Sequence, residues 1–458
     1  MESSFSGLST ALTALVGQRR GLETTGQNVA NANTDGYTRQ RVDLSAIGGG
    51  VPALFSTWQG AGGGVTVSDV SRLRNAFLDT RQRSQHADGA FRTDQQQVYG
   101  QVETLLAEPT DTGLQSQLGD LWASFHDLAN TPGDLAARAA LLQQATTVAG
   151  TLNHTSTSIN TLWSSTKDQF DAITSEVNST ASRVAELNQA VINSNQAGVP
   201  ANELADQRDQ MVLRLSELVG ATGSVQPNGG LTVSVGGSVL VAGSTARQLA
   251  VTGAHLLSGV ATAPVTLQWT DNNSTAAVQS GQAASVLQTL NSILPSYSAR
   301  LDGVAGTIAS YVNNQHAAGY DLNGNQGGPL FSGTTADSIQ VAITDPTLVA
   351  ASSTQGGTLD GANATALANL ATASTGPDQA YRSVIADLAV TTQTANQRST
   401  IQTVLSSNAD AAVTSESGVN LDEEMTNLLS YQRAYQAAAK VMSAVDSMLD
   451  TLINRTGR

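Results

Sequence analysis

The sequence predicts a mainly α protein: a long helical rod, a small β domain inserted in its middle, and terminal helices forming a coiled coil. Three observations carry this. Apolar residues recur at alternating spacings of four and three at both extreme ends of the chain. Helical periodicity fills most of what lies between, but residues 220–281 change to period-two patterning bounded by Gly pairs. Charged residues make up 13% and aromatics 4%, against about 25% charged in an average globular protein. That mixture suits Ala-rich helices packed closely together and does not suit an aromatic-lined pocket.

At 458 residues, a prior of about 150 per domain gives two to four domains. The formal net charge of −15 argues against nucleic acid and anionic membrane surfaces as partners. Without cysteine there are no disulfides, thiolate metal sites or thiol nucleophiles. No apolar run reaches the length needed for membrane insertion. The first twenty residues, MESSFSGLSTALTALVGQRR, have no basic stretch before a weak apolar run. No cleavable signal peptide is expected, so export would follow another route.

From Ser4 to about Ala32, Leu8, Leu12, Leu15, Leu22 and Val29 fall on one heptad stripe, broken at Arg19 and Gly26. Five such side chains, fully buried, would contribute on the order of 8–15 kcal/mol as an upper figure. The stretch Asn31-Ala-Asn33-Thr34-Asp-Gly36-Tyr37 ends the helix, with Gly36 expected at positive φ. Residues 41–70 read as a loop with short extended segments, Gly-rich at 48–50, 60 and 62–64. From Ser71 to Leu218 the chain reads as successive helices punctuated by Pro109, Pro132-Gly133 and Gly198-Val-Pro200. The longest runs from Leu135 to about Gln196, with an interruption expected near Gly150.

After the β segment, Leu231–Val235 and Val239–Val241 being its clearest strands, helix returns from Gln282 to Ala317. Residues 318–375 are mixed, with a strand around Ile339–Ile343 and a short Ala-rich helix after Gly361. A helix from Asp378 to about Ser415 leads into the last one, where Leu421, Met425, Leu428, Gln432, Tyr435, Ala439, Met442 and Leu449 form the second seam. The expected parts are 1–40 (coiled-coil helix and turn), 41–219 (first half of the rod), 220–281 (small β domain), 282–416 (second half of the rod) and 417–458 (coiled-coil helix).

Signs of catalysis are poor, and no catalytic residue, cofactor or metal is expected. His86, His126, His154, His255 and His316 stand singly, without metal-ligand spacing. There is no nucleophile elbow and no phosphate loop. Asp321-Leu-Asn323-Gly-Asn325 starts like a calcium loop, but no Glu closes it, and an Asx turn explains it. Asp422-Glu423-Glu424 reads as acids on the first turn of a helix, complementing its dipole, with Asn420 as N-cap. Arg39 and Arg41 beside Tyr37 offer either a small recognition patch or a solvated turn.

At Asn28-Val-Ala-Asn-Ala-Asn-Thr-Asp-Gly-Tyr37 the chain resembles the bacterial flagellar axial proteins: rod, hook and hook-associated proteins. Thr38-Arg39-Gln40, Ser417 to Met425, Tyr431-Gln-Arg-Ala-Tyr435 and Ala437 to Val441 narrow the likeness to the hook-associated branch. Asp206 to Met211 and Leu301 to Phe331 extend it through the middle. The resemblance implies a non-enzymatic subunit of the hook–filament junction, exported by the flagellar type III apparatus and serving motility. It further implies a homo-oligomeric ring, contacts with the hook protein and the second junction protein, and an export chaperone on the C-terminal helix. The assembly residues it points to are Leu8, Leu12, Leu15, Leu22, Val29, Asn31, Asn33, Thr34, Gly36 and Tyr37 at one end. At the other end they are Leu421, Met425, Leu428, Tyr431, Tyr435, Met442 and Leu449. The alternatives are the second junction protein, a flagellin-like filament subunit, or a secreted enzyme or adhesin using the β domain. Typical members are longer, and the shortfall falls in 220–281.

Overall fold

The computed structural model describes residues 4–47 and 63–454. The glycines at 48–50, 60 and 62 lie outside the described residues. Helix α1 (Ser4–Ala30) leads through a turn into an antiparallel hairpin, β1 (Gln40–Ala46) with β2 (Val65–Arg72), bulged at Asp43/Leu44. Helices α2 (Ala76–Leu106), α3 (Leu114–Asn130), α4 (Leu135–Gln196) and α5 (Asn202–Val219) follow. The β region contains β3 (Thr222–Val225), β4 (Leu231–Val235), β5 (Ser238–Ala242) and β6 (Thr245–Ala246) in one antiparallel sheet. Strands β7 (Leu249–Thr252) and β8 (Thr266–Trp269) form a second. Helices α6 (Gly281–Gln288) and α7 (Leu294–His316), the short pair β9 (Phe331–Ser332) and β10 (Gln340–Val341), and α8 (Ala362–Ala368) come next. Helices α9 (Pro377–Ser417) and α10 (Leu421–Asn454) close the chain.

The spine is α4, whose 62 residues span about 93 Å at 1.5 Å each. Trp163, Phe170, Val177, Val184 and Val191 fall seven apart along it and are all buried, so its core face follows a coiled-coil period. The expected break at Gly150 does not occur. Val148, Ala149 and Leu152 on either side are buried, and their packing outweighs the roughly 1 kcal/mol that Gly costs a helix. The second long helix does break, at a π turn over Thr289–Ile293. Pro295 supplies no N–H to the turn before it, and the indole of Trp163 donates to the Leu290 carbonyl at 2.9 Å.

One continuous core runs from the rod helices into the β region, joining Val177 and Val184 to Leu231, Val233, Leu267 and Trp269. A recurring device fastens extended backbone to helices. Asn188 donates to Leu231 O (2.7 Å) and accepts from Leu231 N (2.9 Å). Asn178 treats Leu249 the same way, and Asn291 treats Val265 the same way. Each carboxamide presents the donor and acceptor of a neighbouring strand, so backbone groups that face away from any sheet partner are satisfied. Helix α9 is turned inside out in its second half. Ser399 is buried and Gln402 and Ser406 bond to Gln85 of α2, while Ile401 and Val404 are exposed.

Candidate assembly interface

The two terminal helices pair with each other, antiparallel and in heptad register. A Cβ on Gly21 would lie 2.5 Å from the Tyr431 ring, and one on Gly7 would lie 3.7 Å from Val445 Cγ2. Asn28 Nδ2 donates to Glu424 Oε2 at 3.0 Å. Partners therefore step seven residues up α10 for each seven down α1, and Ala14 faces Ala438, both half-buried. Small residues on α1 let the axes approach closely and leave room for Tyr431. On its other side α1 meets the hairpin, Gly17 lying 3.4 Å in Cβ distance from Leu44 Cδ2.

Within the chain, the closest contact is made beside the stripe of large apolar residues. The pairing stripe is Gly7, Ala14, Gly21 and Asn28 against Val445, Ala438, Tyr431 and Glu424, and the large apolar residues flank it. Leu8, Leu15, Leu22, Val29, Leu428, Met442 and Leu449 are half-buried, as is Tyr431 within the stripe. Leu12, Leu421, Met425 and Tyr435 are exposed instead, at 53%, 50%, 49% and 38%. The physical reason is size: Gly7, Ala14 and Gly21 on α1 make room for larger partners such as Tyr431 and Val445 on α10, so the other bulky side chains lie to the edges.

The signature turn ties this pair to the rod. Thr34 Oγ1 donates to Asn31 Oδ1 at 3.2 Å, Asn31 Nδ2 caps Gln27 O, and Asn33 is exposed. Gly36 has the expected positive φ of 72°. A Cβ there would run into Gln210 of α5, whose amide donates to Asp35 O at 2.7 Å. The Tyr37 hydroxyl donates to Asn28 Oδ1 at 2.9 Å. Burial first, and then the charges of Glu203, Asp206 and Glu424, raise its pKa and keep it protonated. Asn28 repeats the rod's device on Gln40, donating to its carbonyl and accepting from its N–H, both at 2.9 Å.

Arg39 points inward, so the turn is neither a recognition patch nor solvated at that residue. Its backbone N–H donates to Ser417 O, and its guanidinium bonds Glu424 at 2.8 Å and Glu423 at 2.7 Å. Arg41 pairs with Asp43 on its own strand. Asn420 Oδ1 does cap α10, accepting from Asp422 N at 3.0 Å. Glu424 does more than complement a dipole: it is 1% exposed and held by Asn28 and Arg39. Below the turn, Asp206 accepts from Thr38 N and Arg72. Asp209 takes Arg72 at 2.9 Å and also pairs with Arg74. Removing one partner of so buried a set typically costs about 3–5 kcal/mol. Between the turn, α2, α5 and the end of α9 lies a polar cleft of about 930 Å³.

Three other polar residues noted in the sequence, His316, Asp321 and His86, have structural partners. His316 is buried, its Nδ1 2.6 Å from Gly328 O and its Nε2 accepting from Ala350 N. Asp321 Oδ1 accepts from Asn323 N and Asn325 N, which makes the expected Asx turn. His86 sits between Glu217 and Asp410 at 3.1 and 2.8 Å.

Comparison with known proteins follows the same outline. The family described as "Flagellar hook-associated protein FlgK helical domain" matches residues 99–331. "Flagella basal body rod protein" matches 8–38, and "Flagellar basal body rod FlgEFG protein C-terminal" matches 412–455. The chain is 31% identical to flagellar hook-associated protein 1 of Bacillus subtilis over 506 aligned positions, covering 100% of this chain and 99% of that protein. It is 26% identical to the Escherichia coli protein of the same name, covering 98% and 99%. The solved flagellar hook junction protein FlgK of Burkholderia pseudomallei matches with a TM-score of 0.64 at 17% identity, over 74% of this chain and 99% of that one. That likeness bears on the fold.

Proposed function

The chain belongs to the flagellar hook-associated protein 1 family, a family of structural flagellar components and not of enzymes, and from this premise we propose how it assembles. The subunit joins hook to filament, with its paired terminal helices as the assembly element. One observation supports this above the rest: α1 and α10 meet through small residues and turn large apolar ones outward. Leu12, Val16, Leu421, Met425, Leu429 and Val441 are all exposed, and large apolar side chains exposed along both helices favour a partner. The partner is first an export chaperone on α10, and afterwards copies of the same chain in a ring. The hook protein lies on one side of that ring and the second junction protein on the other. The assembly residues read from the sequence keep this role, Leu12, Leu421, Met425 and Tyr435 facing neighbours and the half-buried residues supporting the pair.

Export proceeds without a cleaved signal peptide in this reading. Among the described residues, no helix is long and apolar enough to cross a membrane. Deleting residues 417–458 tests the proposal: the rod stays folded by circular dichroism, while electron microscopy of the complemented cells shows bare hooks. Filaments growing normally on hooks built with the truncated chain would refute it.

A further inference from the structure

We propose that Met425 and Met448 make the outward face of α10 a redox-sensitive contact, which a hydroperoxide switches from apolar to polar. For its consequence this rests on the assembly reading above; the modification site itself does not. Of the chain's five methionines, Met425, Met442 and Met448 lie on α10. Met1 lies outside the described residues, and Met211 on α5 is half-buried against the rod core. Met425 is 49% and Met448 61% exposed, whereas Met442 is half-buried. The chain has no cysteine, so all of its sulfur is thioether.

Both exposed methionines have aliphatic company. Met425 stands one turn from Leu421 and one turn from Leu429, a spacing that puts the three on one side of the helix. All three are exposed. Met448 follows Val441 by seven residues, again on one side, and Val441 is exposed as well. On such a face an unbranched, polarisable thioether moulds itself to an irregular partner, which branched leucine and valine do less readily.

Oxidation changes the face at one atom of each residue. The thioether sulfur gives an electron pair to one oxygen of the hydroperoxide; the S–O bond forms, the O–O bond breaks, and the other oxygen leaves as water or alcohol. Sulfur is oxidised by two electrons and the peroxide is reduced by two. The sulfoxide is polar and chiral, and covering its oxygen without a donor is unfavourable. Leu421, Leu429 and Val441 have no sulfur to oxidise, and Met211 is shielded by the rod. The oxidant therefore spares the body of the molecule. In the assembly reading a neighbour covers this face, so the switch acts on the free chain.

The test treats the full-length monomer with hydrogen peroxide and maps sulfoxide by peptide mass spectrometry. Met425 and Met448 should be oxidised first, Met442 later and Met211 last, with the circular dichroism unchanged. The oxidised chain is then added to hooks isolated from cells that lack it. Its half-saturating concentration should rise at least about tenfold, since side chains of this size no longer gain from burial. Methionine sulfoxide reductases, one for each sulfur epimer, should reverse the loss. Met425→Leu with Met448→Leu conserves volume and apolarity; that variant should bind hooks as the unsubstituted chain does and be indifferent to peroxide. Oxidation of Met211 as fast as Met425 and Met448 would overturn the site. Undiminished hook binding with both residues as sulfoxides would overturn the switch, as would an equal loss in the double leucine variant. Failure of the untreated chain to bind hooks would sink the assembly reading and the switch with it, while the oxidation order alone still decides the site.

Discussion

The rod and the terminal pair are both built from long helices, yet they bury opposite things. In the rod, Trp163, Phe170, Phe125 and Leu141 are fully enclosed and belong to one core. In the terminal pair the contact is made by Gly7, Gly21 and Asn28, and the large apolar residues remain at the surface. The rod is finished as a monomer. The pair leaves its large apolar residues at the surface, and within the chain it is held by close fit and a polar lock in place of apolar area.

Four substitutions would break or sharpen that contrast. The largest effect is expected in the rod: Trp163→Ala removes a fully buried indole and its bond to Leu290 O. It should cost about 3–5 kcal/mol in urea denaturation of the full chain, and a loss below 1 kcal/mol would deny the rod its role as the stable body. Next, Gly21→Ala pushes a methyl group against the Tyr431 ring. The pair should loosen by about 1–3 kcal/mol, seen as faster amide exchange in α1 and α10 with the rod unchanged. Tyr431→Ala should restore protection to the double variant.

The third concerns pH. His86 is raised to about 9, chiefly by its bond to Glu217 and then by Asp410. A group raised in the folded state gives its full stabilisation below its unfolded value of about 6.5 and loses it as pH climbs through the folded value. The Tm gap between wild type and His86→Gln should be widest near pH 6 and close above about pH 9; a gap that widened with pH would reverse the assignment. The smallest effect belongs to Gly26→Ala, whose Cβ meets nothing within 4 Å. It should gain about 0.5–1 kcal/mol of helix stability, opposite in sign to Gly21→Ala five residues away.

The helices and the change to strand were legible because periodicity records burial, and rod burial is apolar. The same method picks out the large residues of the terminal seam and passes over Gly7 and Gly21, which mark the contact within the chain by lacking side chains. Gly26, noted as a flaw in the stripe, is in fact open to solvent. Asn420 as a cap and Gly36 at positive φ were readable because local backbone geometry demands them. The inward path of Arg39 and the lock on Glu424 were not readable, since partners 385 residues apart leave no local pattern. Asn28 stood in plain view within the signature, but that its amide replaces a strand partner emerges only beside Gln40.

The antiparallel register also sets a folding order. Gly7 meets Val445, so α1 must wait through the synthesis of more than 400 further residues before its partner exists. Closing so long a loop in an unstructured chain is slow and entropically costly. The rod shortens it: once α2 and α9 have packed, Arg39 N and Ser417 O lie 2.9 Å apart and the remaining loop is nearly nothing. The ends then zip from the rod outward, Asn28 with Glu424 first and Gly7 with Val445 last. Because Gly7 lies against Val445, the terminal pair is complete only once both of its helices are present.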